Sequence, residues 1–407
     1  MPVLTRLGCN QGGCHGAAQG KGGFKLSMQG YDPESDIVSI TRGAGGRRVS
    51  PARPEASLLL RKPLGQVPHK GGTLLRAGSA HHRLLVDWIE SGMPGPRPDD
   101  KSVERLDVFP AQRTVGIGAR QRFRVVATYS DKSTRDVTEE SLFSGSDAQV
   151  ASVESTGESR VVGKGEAAVL IRYDDKVVTA TLTSPFAKPL PLPQPKSDTA
   201  SSKIDELVER KLSRLGLSPS PRANDSDFLR RVTLDLTGTL PTVERTRAFL
   251  ADNNPDKRAK LVDELLDSPE FVDNWTLRWG DILRSTRNAM GERGLASFNR
   301  WLRDSVATNK PWDTMTRELL LASGSTFDNG PANYFRAAPT PDSLVETTSQ
   351  VFLGVRIQCA KCHNHPYEKW KQNQYYEMAA FFTRVRSKNT DVADEKIYYA
   401  GDSGDIA

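Results

Sequence analysis

The sequence predicts a multidomain protein: a small α-rich domain, then a β-sandwich, then a mainly α-helical C-terminal domain. Three observations carry this reading. The chain has 407 residues, more than one hydrophobic core ordinarily serves. Its hydrophobic period changes from helical spacing near the N-terminus to two-residue alternation, and back to helical spacing after residue 203. Two proline-rich stretches, Pro94 to Asp100 and Pro185 to Pro195, mark the changes.

Each element follows in order. In the first domain, expected over 1–98, Leu84, Leu85, Trp88 and Ile89 recur at helical spacing, and Gly92 and Pro94 end that helix. Over 104–184, Phe123, Val125, Ala127 and Tyr129 alternate with polar neighbours, as do Val178, Ala180 and Leu182. Asp174-Asp175 reads as the turn between two strands. Several short strands without a helix or a cysteine fit a small β-sandwich. Residues 185–202 read as an extended, semi-rigid spacer because of their proline content. The third domain, 203–407, opens with a capping box of Ser202 and Asp205. A stripe of Ile204, Leu207, Val208, Lys211, Leu212 and Leu215 follows. Further helices are expected over 228–236, 243–251, 258–266, 271–283, 296–307 and 342–353. The polar tail 401–407 offers no closing element, so the natural chain is expected to continue.

Composition narrows the function classes. The formal charge is +6, modest for this length, and the cations are interspersed with acids. The densest basic stretch, Arg42 to Arg48, has no interleaved aromatic residue, so it reads as a solvated loop and no nucleic-acid partner is expected. No apolar run is long enough to be a transmembrane segment. No Ser-His-Asp arrangement, phosphate loop or glycosidase carboxylate pair rises above chance, so no catalytic residue is assigned. Asp235 lies in an apolar run and reads as a capping or Arg-paired acid. Trp275 and Trp279, four apart, read as a core stripe.

The chemistry concentrates in the cysteines. All four sit in two clusters, and each cluster ends in Cys-His: Cys9-Asn10-Gln11-Gly12-Gly13-Cys14-His15 and Cys359-Ala360-Lys361-Cys362-His363. The second is the C-x-x-C-H signature of covalent c-type haem attachment; the first has four residues between its cysteines. Each sulfur can add to a porphyrin vinyl group, and the following histidine can ligate the iron. One helical turn serves the shorter spacing. The longer one needs a looser turn, expected from Gly12 and Gly13. One or two covalently attached haem c groups are therefore the expected cofactors. Such attachment occurs outside the bacterial cytoplasm, so a periplasmic or extracellular location is expected. No export signal precedes the first cluster, and the given start is read as lying after a removed signal peptide.

The chain resembles planctomycete secreted proteins that combine a cytochrome-c-like region, a group 2 bacterial Ig-like domain (BIG2) and domain of unknown function 1549 (DUF1549). The first part of the resemblance rests on Gly8 to Gly16 and on Trp88-Ile89-Glu90-Ser91-Gly92-Met93-Pro94. The second rests on Leu106-Asp107-Val108 and Val161 to Ala167. The third rests on Arg230 to Gly238 with Leu240-Pro241-Thr242, and on Phe352-Leu353-Gly354-Val355 running into Gln358 to Pro366. The resemblance implies secretion and a three-part architecture, and it carries no established activity. In related small cytochrome-like domains a Met-Pro-Pro turn offers the sixth iron ligand. Here that place reads Val67-Pro68-His69, so the resemblance implies His69 in its stead, with Met93 second and Met28 and His81-His82 behind. His81 and His82 are expected to start a helix and face solvent.

At the second cluster His363 is the proximal candidate. His365 cannot easily cross to the other face of the same haem, and it is a candidate for orienting the site or binding a second metal. Two other readings stay open: a disulfide within each cysteine pair, or a non-haem metal at Cys359 to His365. The expected function is accordingly an exported haem c protein for electron transfer or redox chemistry, with the Ig-like module as spacer or adhesion element. The alternatives are an extracellular binding scaffold closed by disulfides, or a metal-dependent enzyme on extracellular polysaccharide. The redox partner is not readable; a cell-surface polymer or polysaccharide is the partner class that an adhesion module implies.

Overall fold

The computed structural model describes residues 1–188, 203–365 and 368–402. The backbone divides into two compact units, Met1–Pro219 with His363–Lys369, and Ser220–Cys362 with Trp370–Ala407. Most of the expected spacer, together with Ser202 of the expected capping box, lies outside the described residues.

The first unit begins with four short helices: α1 (Pro2–Arg6), α2 (Pro33–Thr41), α3 (Leu58–Arg61) and α4 (Ala80–Glu90). Proline and a capping acid start α2: Pro33 needs no hydrogen bond at the first position, and Asp32 accepts from the Ser35 amide. Ser79 does the same for α4 through the His82 amide. These helices close over Val3, Leu4, Leu26, Ile40, Leu60, Leu75, Leu85 and Ile89. In α4 the core face is Leu85 and Ile89, one turn apart, while Leu84 points to solvent. Gly92 and Met93 both take positive φ, +84° and +57°, which turns the chain so that Trp88 Nε1 donates to the Pro94 carbonyl at 3.1 Å. Asp36 is buried and ties α2 to the preceding loop by accepting from both the amide and the hydroxyl of Ser27. Burial pushes its carboxyl up, and the Ser27 bonds oppose the shift.

Ten strands follow: β1 (Val103–Phe109), β2 (Gln112–Thr114), β3 (Arg120–Arg122), β4 (Arg124–Tyr129), β5 (Thr134–Asp136), β6 (Leu142–Gly145), β7 (Ala151–Val153), β8 (Glu158–Val161), β9 (Gly165–Tyr173) and β10 (Lys176–Ser184). They form sheets of order β1-β4-β5, β2-β10-β9-β6 and β3-β8-β7. Only β2 and β10 run parallel among the pairs described. The expected alternation is present: Phe123, Val125 and Ala127 are buried, as are Ala180 and Leu182. All three sheets contribute to one core, with Val108 and Val125 from the first, Ile171 and Leu182 from the second and Val161 from the third. Tyr173 pairs with Lys176 across the Asp174-Asp175 loop, and Asp174 takes the positive φ (+55°) that a two-residue hairpin requires.

Helix α5 (Lys203–Leu215) also groups with this unit. Lys211 and Arg214 both pair with Glu166, at 3.0 and 2.6 Å. Of its expected apolar stripe only Leu215 is buried; Ile204, Leu207 and Val208 are exposed.

The second unit is helical: α6 (Asp225–Thr237), α7 (Val243–Ala251), α8 (Lys257–Leu266), α9 (Pro269–Ile282), α10 (Arg287–Ala307), α11 (Trp312–Leu320), α12 (Tyr334–Ala337), α13 (Pro341–Phe352) and α14 (Gln372–Ala380). Asn224, Thr242, Ser268, Thr286 and Thr340 cap five of them by accepting from a backbone amide three residues on. Gly238, at φ +72°, ends α6. A small core of Leu229, Phe249, Leu261 and Leu265 joins α6, α7 and α8, and Asp225 bridges Lys257 and Arg258 beside it. The larger core gathers Phe298, Leu302, Leu319, Tyr334, Val345 and Tyr375. Helix α10 breaks at Gly291, where a side chain would collide with Asp394, the partner of Arg336.

The six expected helices of this region correspond to α6–α10 and α13. Sequence reading did not anticipate α11, α14 or a sheet of order β11-β13-β12 built from β11 (Gly324–Ser325), β12 (Val385–Asn389) and β13 (Lys396–Ala400). This sheet ends at Ala400, immediately before the tail. Asp235 is exposed, and among the described residues it neither caps a helix nor pairs with an arginine, so neither part of that expectation is met.

Ile171 is fully buried at the centre of the β-core. Ile171→Ala should lower stability by about 2–5 kcal/mol, read from the first resolved transition in urea unfolding followed by circular dichroism. A loss below about 1 kcal/mol would mean that Ile171 is not packed as described.

Candidate functional site

The first cysteine cluster is a compact loop after α1. Cys9 donates its amide to the Leu4 carbonyl, so the loop grows directly from the helix end. The Cys14 amide returns to the Gln11 carbonyl and the His15 amide to the Cys9 carbonyl, both at 2.9 Å. That last bond closes the four-residue gap and sets His15 back beside the first cysteine. Asn10 is wholly buried beneath the loop and donates to Thr5 Oγ1 at 2.9 Å. The glycines that make this turn are not the two expected. Gly12 and Gly13 are not at positive φ, and nothing crowds Gly13. Gly8 takes the left-handed conformation, and Gly16 lies so close to the Asn10 carbonyl oxygen that a Cβ would sit 2.1 Å from it.

Cys9, Cys14, His15 and His69 line one cleft of about 950 Å³, counting the part open to solvent. Its walls are apolar: Leu4, Leu26, Phe24, Leu58, Leu59 and Leu85 are among them. Its charged lining residues are all basic: Lys21, Arg47, Arg48 and Lys62. Arg48 is mostly buried, lies over the Phe24 ring at 4.5 Å, and donates to the Ser39 and Gly23 carbonyls. The cleft therefore suits an apolar ligand that also carries negative charge.

The two histidines are oriented alike. His15 Nδ1 lies 2.9 Å from the Phe24 carbonyl oxygen, and His69 Nδ1 lies 3.0 Å from the Gly72 carbonyl oxygen. A carbonyl only accepts, so each Nδ1 is the donor, and Nε2 is the nitrogen not engaged by that bond. Burial holds His15 below its ordinary pKa, and nearby His69 pushes the same way, against the Phe24 bond. The ring centres stand 6.4 Å apart, with their planes within 10° of parallel. Burial, reinforced by Cys14, pushes the Cys9 thiol up to about 11.

The other candidates fare differently. Met93 packs against the apolar core at the end of α4 and is not among the cleft residues; neither is Met28, which sits against Gly12. His82 is buried, not solvent-facing as expected: its Nε2 lies 3.2 Å from Glu55 Oε2, because it occupies the inner face of the first turn of α4.

At the second cluster, Cys359 lies in a 3-10 turn, Gln358–Lys361, that leads into Cys362, and both thiols are exposed. Lys361, between them, is braced from three sides. Its ammonium pairs with Asp342 at 2.7 Å, and its carbonyl accepts from Tyr376 Oη and Gln372 Nε2. Tyr375, fully buried, donates to Asp342, whose charge adds to burial in pushing the phenol up. The division between the units falls just before His363. His363 Nδ1 lies 2.7 Å from the Asn364 carbonyl oxygen, and its ring stands 6.5 Å from that of Tyr31. His365 is buried, and its carbonyl accepts from Arg172.

All four cysteines are free in the structure. Among the described residues no three His, Cys, Asp or Glu side chains gather as a group that could hold a bare metal ion. Sequence reading assigned no role to Phe24, Asn10, Arg48 or Gly16; tertiary contacts give them their parts, through the Phe24 carbonyl, the Asn10 and Arg48 side chains and the close backbone approach at Gly16.

Residues 203–387 match the family model described as PSCyt2, protein of unknown function (DUF1549). This places a domain of that family across the helical region and the second cysteine cluster. No curated protein matches the chain. Among the described residues no helix is long and apolar enough to cross a membrane.

Exposure and pKa together predict thiol reactivity. In unloaded protein at pH 8, iodoacetamide should alkylate Cys359 and Cys362 first and Cys9 last, by at least tenfold in rate, as read by peptide mass spectrometry. Equal rates at all four would contradict the burial of Cys9.

Proposed function

We propose that this chain is an exported c-type haem protein whose N-terminal module serves one-electron transfer. The single observation that supports it best is the convergence of Cys9, Cys14, His15 and His69 on one apolar cleft whose charged lining residues are all basic. The donor set fits the group. Cys9 and Cys14 would tether it: each thiol S–H adds across a vinyl C=C, sulfur to one carbon and hydrogen to the other, with no oxidant consumed. His15, its Nδ1 held by Phe24, offers Nε2 as proximal ligand. Arg47, Arg48, Lys21 and Lys62 would meet the propionates. Phe24, Leu26 and their neighbours keep water from the cleft floor. An iron porphyrin bound there supplies reversible one-electron chemistry at a potential set by its axial ligands and burial.

Cys359, Cys362 and His363 carry the same residue types, and a second haem c is proposed there on the spacing alone. The β-sandwich is read as an Ig-like spacer or adhesion module. An exported location follows from the attachment chemistry.

The test is expression in an export-competent, haem-loading host, followed by a pyridine haemochrome spectrum and intact mass. We expect a thioether-type α-band, and haem mass retained on the peptide holding Cys9 and Cys14. Cys9→Ser with Cys14→Ser should remove all covalent haem from that peptide. A wild-type protein with no α-band, or with a disulfide at Cys9–Cys14 and no added mass, would sink the proposal.

A further inference from the structure

We infer that His69 is the sixth ligand of the iron, so that the N-terminal centre is a bis-histidine centre and not a methionine–histidine one. This rests on the haem reading above and deepens it. Four observations on this chain carry it. His69 lines the same cleft as Cys9, Cys14 and His15. Its ring lies within 10° of parallel to that of His15, with centres 6.4 Å apart. An imidazole nitrogen bonds a metal at about 2 Å and lies about 1.2 Å from its own ring centre, so two histidines on one metal place their ring centres roughly 6 Å apart. Both rings spend Nδ1 on a backbone carbonyl, which leaves Nε2 of each as the nitrogen available to one metal.

The loop that carries His69 is shaped around the ring. Gly72 takes φ +75° and turns its carbonyl to His69 Nδ1. At Gly71 a Cβ would come within 2.8 Å of His69 Cε1 and 3.2 Å of Nε2. Any side chain at Gly71 must therefore displace the ring or the loop. Gly71 is a positioning residue for His69, whereas Met93 and Met28, the sulfur alternatives, are not among the cleft residues. Two imidazoles hold the ferric state better than imidazole with thioether, so the centre should work at lower potential than a methionine-ligated one.

The test uses the full chain, loaded with haem, with stoichiometry at Cys9 and Cys14 checked by peptide mass. The wild type should give a low-spin ferric electron paramagnetic resonance spectrum with no methionine–iron charge-transfer band. His69→Ala should lose the low-spin signal and regain it on addition of free imidazole. His69→Met should stay low-spin, gain the methionine band and shift to higher midpoint potential. Gly71→Ala should show a mixture of spin states with haem content unchanged. A methionine band in the wild type, or a His69→Ala protein with full haem and an unaltered spectrum and potential, would overturn the assignment of His69 alone. Absence of haem from Cys9 and Cys14 in the wild type would overturn this inference together with the function proposed above.

Discussion

The hydrogen bond from His15 Nδ1 to the Phe24 carbonyl is the constraint on which the N-terminal site depends. It settles three things at once. It fixes which ring nitrogen carries the proton, since the carbonyl can only accept. It fixes the plane of the ring, which the His69 plane then follows within 10°. It also joins the cysteine loop to the strand-like stretch at Phe24–Leu26, where the Leu26 amide returns a bond to the His15 carbonyl at 2.8 Å. Remove that pairing and the cleft keeps its apolar walls but loses the bond that orders His15.

Charge organisation follows from the same architecture. An apolar cleft tolerates cations only at its edge, or where their hydrogen bonds are met. Arg48 satisfies the second condition: it is mostly buried, yet it stacks on Phe24 and donates to two carbonyls. Phe24 thus orients a histidine through its backbone and supports a guanidinium through its ring. The second cluster has the same residue types in another setting. Its thiols stand on an exposed turn, braced through Lys361 by an ion pair and two side-chain hydrogen bonds. A motif specifies donors; burial decides how reactive they are.

How much of this was legible follows residue by residue. The cysteine pairs and their histidines were legible because the chemistry demands adjacent positions. The β-region was legible because alternation at Phe123, Val125 and Ala127 reports a one-sided core. Helices with several turns and a cap, such as α6 and α9, announced themselves. Helices α11 and α14 did not: each is only nine residues long, and tertiary packing of Met315, Leu319, Tyr375 and Ala379 sustains them. The terminal sheet was hidden because its middle strand pairs with a two-residue strand far away in sequence. Gly16 was passed over for Gly12 and Gly13 because adjacent glycines suggest a turn, whereas close backbone approach leaves no local mark.

Every residue lining the N-terminal cleft lies between Leu4 and Leu85, and the apolar core beneath it is completed by Ile89. Long-range pairing with later sequence is not needed to build that cavity, so its assembly can finish while translation of the remainder continues. The pocket can therefore emerge and mature ahead of the β-strands and helices that follow it.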